Sequence, residues 1–196
     1  MKNIYLKVAV CIIAVCAITL FLLNSYCNVF NNRYKAVYLT SSKSSQIIDK
    51  EICKDKKLFI VNSFDELKSK ADSITYKFGI IIDKSILIEN SDLKDLNKWL
   101  LGKKGYPIFV IGYGKPVYVY FFKLEFATGI NKPNISKEKI DEFKDQSGFS
   151  LAYICSDGKI LGTGHKNIDI NNLFDILSVC LKGDQYAEEV CEKGNQ

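Results

Sequence analysis

One histidine and seven cysteines leave this 196-residue chain few ways to assemble a nucleophile or a metal centre. The cysteines fall at 11, 16, 27, 53, 155, 180 and 191, and no pair has the C-x-x-C spacing of a redox dithiol or a zinc ligand pair. A thiol–imidazole couple would have to use His165. Asp157-Gly158 predicts a two-residue turn joining strands at Phe149–Ser156 and Lys159–His165. In that register Cys155 faces Ile160 and His165 faces Ser150. At ~3.3 Å per residue the thiol and the ring are on the order of 17 Å apart, against the ~3 Å contact that activates a cysteine. Cys180 falls on an apolar helix face, and Cys53 has no base near it in sequence. No catalytic residue, metal ligand or cofactor is nominated.

What remains is the chemistry of polar residues at strand ends. In open parallel sheets ligands gather beyond the carboxyl ends of the strands. Those ends are expected at Thr40, Ser41 and Ser42, at Asn62 and Ser63, at Asp83, and at Tyr113 between two glycines. Ser41 and Ser42 would offer hydroxyls and backbone N–H groups to an anion, or simply cap the following helix. Asp83 would act as a base or a metal ligand, or would close a turn. These seven residues form the candidate ligand-binding set.

The elements that must position them follow from hydrophobic period. Lys35–Thr40, Leu58–Val61, Phe78–Ile82 and Tyr106–Ile111 are short apolar runs rich in β-branched residues, as strands buried on both faces require. Amphipathic stretches separate them. Ile47, Ile48 and Ile52 give one a modest apolar face. Ser63 and Glu66 make a capping box ahead of a helix carrying Phe64, Leu67, Ala71 and Ile74 on one side. Asn90–Asp92 opens another, with Leu93, Leu96, Trp99 and Leu100 inward and Gly102 or Gly105 ending it. The expected fold class is therefore α/β, a mostly parallel sheet flanked by helices. A strand is expected at Val117–Leu124, and the C-terminal hairpin is followed by a helix near Asn171–Leu181.

The run Val8–Leu23, VAVCIIAVCAITLFLL, preceded by Lys2 and Lys7, reads as a membrane segment. The expected organisation is a cytoplasmic tail at 1–7, a transmembrane anchor at 8–26 in contact with lipid, a linker at 27–33, one α/β domain at 34–183 and a C-terminal tail at 184–196. A cleaved signal peptide is the alternative for the first segment. With the amino terminus inside, the domain faces outward, where cysteines can oxidise. Cys180 and Cys191, the closest pair beyond the linker, are expected to form a disulfide. The formal charge of +5 includes Lys2 and Lys7, so the domain is only mildly basic, which argues against a nucleic-acid partner. A binding module of the cell envelope, with a small ligand or an envelope protein as partner, is the expected function; a hydrolase or transferase at a strand end is the alternative.

Two segments resemble known families. Residues 78–114, with FGIIID, then a helix ending WLLGKKG, then YPIFVIGYG, resemble class I glutamine-amidotransferase-like domains at their nucleophile elbow. The family's cysteine would fall on Tyr113, so the resemblance implies a related fold without the activity; a plain hairpin between Tyr106–Tyr113 and Pro116–Leu124 is the competing expectation. The closing strand, Ser156-Asp157-Gly158 turn, strand and helix resemble the end of thioredoxin-like folds, without their redox cysteines. Tyr113, Tyr118, Tyr120, Phe121, Phe122 and Phe126 form an aromatic set that suits a buried strand or a partner surface.

Overall fold

Short apolar runs with no polar face have to be covered on both sides, and in the computed structural model they are. The structure describes residues 33–42, 46–89, 93–116 and 147–194, with positions 18, 19, 118, 119, 124, 136, 138 and 142. The chain divides into two units, 1–33 and 34–196. Nearly all of the first lies outside the described residues, and with it the expected tail, anchor and linker. Ile18 and Thr19 are helical. Among the described residues no helix is long and apolar enough to cross a membrane.

In the second unit a six-stranded mixed sheet is flanked by helices. Strands β1 (Ala36–Leu39), β2 (Leu58–Val61), β3 (Gly79–Asp83) and β4 (Pro107–Ile111) are parallel, and β5 (Phe149–Ile154) and β6 (Ile160–His165) complete the order β2-β1-β3-β4-β5-β6 with antiparallel pairings. One face packs Val37, Leu39, Ile80, Ile82, Ile108 and Val110 with Leu67 and Ala71 of α2 (Phe64–Ser73) and Leu96 and Leu100 of α4 (Lys94–Leu101). The other packs Ala36, Tyr38, Ile81, Phe109 and Ile111 with Cys53 of α1 (Lys50–Asp55), Leu173 and Leu177 of α5 (Ile170–Cys180), and Ala187 of α6 (Asp184–Gly194). The even and odd positions of each strand feed two separate cores, the period-2 alternation of a sheet sandwiched between helices.

The structure corrects four expectations. Residues 184–194 of the expected tail are a helix: α6 packs on α5 and β6, burying Ala187 and Cys191. Lys84–Glu89 is a helix, α3, directly after β3. Val117–Leu124 is not a strand where it is described: Pro116, Tyr118 and Val119 are helical, and the Leu124 N–H reaches back five residues to the Val119 carbonyl at 2.8 Å. Proline lacks the donor a strand ladder needs but suits a first helical turn. The edge of β4 is taken instead by β5, so the hairpin with 116–124 does not form. Finally, the β5–β6 register is one residue off: Phe149 faces His165 and Ser150 faces Gly164. The turn has three residues, with Gly158 at φ 92°, its N–H on the Cys155 carbonyl, and the Cys155 N–H on the Lys159 carbonyl. That is the turn-plus-left-handed-glycine hairpin rather than the two-residue one.

Backbones meet where the segment after β4 passes the open end of this hairpin. A Cβ on Gly148, at φ 121°, would sit 1.8 Å from the His165 carbonyl oxygen, and one on Gly164 2.2 Å from that of Gly114. At the hairpin's other end, the Asp184 carboxylate at the start of α6 accepts from Tyr153 Oη (2.9 Å), the Ser156 N–H (2.9 Å) and Ser156 Oγ (2.6 Å). The Ser156 donors, more than Tyr153, hold the Asp184 carboxyl below its ordinary pKa.

Gly148→Ala is expected to cost about 3 kcal/mol or more in urea unfolding, because clash adds to a forbidden φ. Gly183→Ala, at φ 137° with open space around it, is expected to cost only about 1–2 kcal/mol. Asp184→Asn is expected to lower stability at neutral pH. Because the folded-state pKa is depressed, the deficit should be full above the ordinary carboxyl range and should vanish as pH falls through the folded value, measured as melting temperature against pH.

Candidate functional site

The order β2-β1-β3-β4 reverses direction between β1 and β3, and a ligand crevice is expected outside the carboxyl ends of those two strands. Here the chain fills that crevice itself. Tyr38, alternating onto the α1–α5 face of β1, donates its hydroxyl proton to Asp83 Oδ2 at the end of β3. The same oxygen accepts the Ile47 N–H at 3.2 Å, and Oδ1 accepts the Ser85 N–H at 2.9 Å, which caps the start of α3. The Ile48 N–H reaches the Tyr38 oxygen at 3.4 Å. Tyr38 is 0% and Asp83 1% exposed. Burial first, and the bond to Asp83 second, push the Tyr38 hydroxyl's pKa up. Asp83, with both oxygens occupied by internal donors, is a fastening point for the β1–α1 loop and the start of α3. It is not placed to take a proton from a substrate.

An opening lies one strand over. A groove of about 670 Å³ runs across the carboxyl ends of β1 and β2, lined by Ser41, Ser42, Gln46, Asp49, Lys50 and Asn62, with Ile60 as apolar floor. Local sequence explains its walls. Asp49 caps α1 by accepting the Glu51 and Ile52 N–H groups, each at 3.0 Å. Ser63 caps α2 by accepting the Glu66 N–H at 3.2 Å, while Glu66 returns to the Asn62 N–H at 2.8 Å, one residue earlier than the usual capping box. The Asn62 side-chain amide donates to the Thr40 carbonyl at 3.2 Å and ties the two strand ends together. Ser41 Oγ donates to Glu89 of α3, so Ser41 belongs as much to the scaffold as to the groove. Ser42, Gln46 and Lys50 give the groove a hydroxyl, an amide and an ammonium, which can hold a polar or anionic group.

Of the seven candidate residues, the structure brings Ser41, Ser42 and Asn62 together in the groove. Thr40 lies buried beneath it, Ser63 serves as a cap and Asp83 is sealed in the crevice. Tyr113 is elsewhere. It follows β4, is buried, meets Tyr118 edge to face at 5.3 Å and lies under the Lys84 ammonium at 5.6 Å. Burial raises its hydroxyl's pKa. The positive φ at this turn belongs to Gly112, at 94°, whereas a nucleophile elbow strains the nucleophile's own backbone. The end of β4 is therefore not an elbow in geometry, quite apart from its missing cysteine. Tyr120, Phe121, Phe122 and Phe126 lie outside the described residues.

Gln46, Asp49 and Lys50 had no motif to announce them; their only signal was position, since they complete the β1–α1 connection. Tyr38 was legible as a strand residue, but nothing local marked its hydroxyl as partner to a carboxylate 45 positions away.

The sulfur and imidazole groups are held as structure. The expected Cys180–Cys191 bridge is not formed: Cys53, Cys155, Cys180 and Cys191 all carry free, buried thiols. Burial, as the leading cause, pushes Cys180 up to about 12 and Cys191 and Cys53 each up to about 11. Such thiols stay protonated and unreactive at neutral pH. His165 stacks on Phe149 with ring centroids 4.5 Å apart, and burial lowers its pKa. In the observed register Cys155 lies six strand positions from His165, about 20 Å, so the two remain out of contact. Among the described residues no group of three His, Cys, Asp or Glu side chains is placed to hold a metal ion.

Compared with known proteins, the chain matches no family model, no curated protein and no solved structure. The assignment of the site therefore rests on its geometry.

Tyr38→Phe is expected to cost about 1.5–3 kcal/mol in denaturant unfolding, because a buried carboxylate loses a donor and the Ile48 N–H loses its acceptor. A loss under about 0.5 kcal/mol would show that Asp83 is not held by this bond.

Proposed function

We propose that the chain is a membrane-anchored, extracytoplasmic α/β domain that binds a small polar ligand, or a polar segment of an envelope protein, without covalent chemistry. The observation that carries this reading is the groove over β1 and β2. Its side chains are hydroxyls, amides, one ammonium and the Asp49 carboxylate, which is engaged in capping α1, while the Ser41 hydroxyl is engaged by Glu89. The compartment is supported by the apolar run Val8–Leu23 and the lysines ahead of it. The hydrolase or transferase reading would use Asp83, Tyr113 or the Thr40–Ser42 loop at a strand-end crevice. Asp83 is taken by internal hydrogen bonds and Tyr113 by burial, so that reading retains only the Thr40–Ser42 loop beside the groove.

Saturation-transfer NMR of the full chain with a mixture of small carboxylates, amides and sugars is expected to detect bound fragments whose signal falls several-fold in a Gln46→Ala/Lys50→Ala variant. Fragments that bind equally well to the variant would place the ligand elsewhere. A phosphatase fused after Gln196, active only outside the cytoplasm, is expected to be active in intact cells.

A further inference from the structure

The four parallel strands all begin at one edge of the sheet, and lysines gather there. Lys35 precedes β1 directly, Lys56 and Lys57 precede β2, Lys77 stands two residues before β3, and Lys103 and Lys104 precede β4. Because β5 is antiparallel to both neighbours, β6 runs in the same sense as the parallel strands and Lys159 joins this edge. The carboxylates nearby are Asp55, Asp72, Asp157, Asp184 and Glu188. Asp72 is set against Lys103 at 3.8 Å and Glu188 against Lys159 at 2.8 Å, Asp184 is engaged by Ser156 and Tyr153 and feels the Lys77 charge, and the Lys104 ammonium donates to the Ser156 carbonyl at 3.2 Å. Lys35, Lys57, Lys77 and Lys104 form no salt bridge to a described carboxylate. Lys35, Lys77 and Lys104 are exposed and Lys57 is half-buried. Among the described residues these lysines share the end of the sheet opposite the groove.

The same edge carries an aromatic cluster. Tyr34, 36% exposed, meets Phe59 edge to face at 5.1 Å, and its N–H donates to Tyr76 Oη at 2.9 Å. The Lys70 ammonium lies 3.9 Å from the Phe59 ring centre and 5.0 Å from that of Tyr34. Rings with a polar tip, beside lysines whose stems cover apolar surface, suit the headgroup layer of a bilayer. Chain connectivity points the same way. Tyr34 and Lys35 lead straight into β1, so the polypeptide enters the domain at the lysine edge. If 8–26 spans the membrane, the linker 27–33 reaches ~25 Å at most when fully extended.

We propose that this edge, with Lys35 and Lys57 on the Tyr34 side and Lys77 and Lys104 toward the β5–β6 turn, docks on anionic phospholipid headgroups and so directs the groove away from the membrane. The proposal rests on the tethered reading given above. It is tested with the full chain reconstituted in lipid nanodiscs, either pure phosphatidylcholine or about one-third phosphatidylglycerol, by measuring lysine acetylation rates by mass spectrometry. Lys50 and Lys166, at the opposite ends of the strands, serve as internal controls. The four edge lysines are expected to react about threefold more slowly in the anionic discs, the controls to react alike in both, and the protection to disappear in high salt. Equal rates at edge and control lysines in both lipids, with the chain retained in the discs, would overturn the docking while leaving the anchor intact. A chain that enters neither disc would overturn the tether itself, and the docking with it.

Discussion

A carboxylate withdrawn from water must find its hydrogen bonds inside the protein or lose its charge, and Asp83 sets the shape of this domain by the way it finds them. Its donors come from three places: the Tyr38 hydroxyl in the neighbouring strand, the Ile47 N–H in the β1–α1 loop and the Ser85 N–H at the start of α3. One side chain thus joins β1 to β3 and lays the loop across the gap between them. The crevice that a parallel sheet of this order leaves open is closed by the protein's own backbone. A ligand must use a different opening, and the groove over β1 and β2, walled in part by the Asn62 amide, is one.

The sheet is asymmetric in a way that follows from the same economy of contacts. Apart from Asp83 and the Tyr38 hydroxyl, its parallel strands present apolar side chains to the helices on both faces, while β6 at the far edge is half-buried and contains Gly162 and Gly164. Gly164 and Gly114 let the segment after β4 approach the hairpin backbone to backbone, and Gly148 lets the two ends of the hairpin close on each other. At the other end of the hairpin, α6 closes the second core by burying Ala187 and Cys191 and by taking the Ser156 turn onto Asp184. The buried thiols here are filling material, kept inert by the absence of water around them.

The strands were legible because β-branched runs such as FGIII and PIFVI have no polar face, and only a sheet covered on both sides accommodates that. Helix α2 was legible from Ser63 and Glu66 together with its apolar spacing, and α4 from Leu96, Trp99 and Leu100. Other elements were not. Helix α3 is six residues long, too short for a period to register, and it is started by an aspartate whose main bond is to another strand. The segment at 116–124 carries aromatic and β-branched residues in a strand-like order, yet β5 occupies the edge it would have needed. Helix α6 lies behind a glycine stop and looks polar until Ala187, Val190 and Cys191 are seen to share one side.

Local chemistry settled which residues are apolar enough to be covered, where chain direction changes and which caps begin the longer helices, because those preferences act over a few neighbours. It also ruled out a C-x-x-C site, since that spacing is itself local. The partner of Asp83, the one-residue shift of the hairpin, the neighbour of β4 and the position of the groove were decided only when distant segments packed. Each depends on competition for a single buried donor, edge or cavity, and the winner of such a competition is not written within the reach of any one stretch of chain.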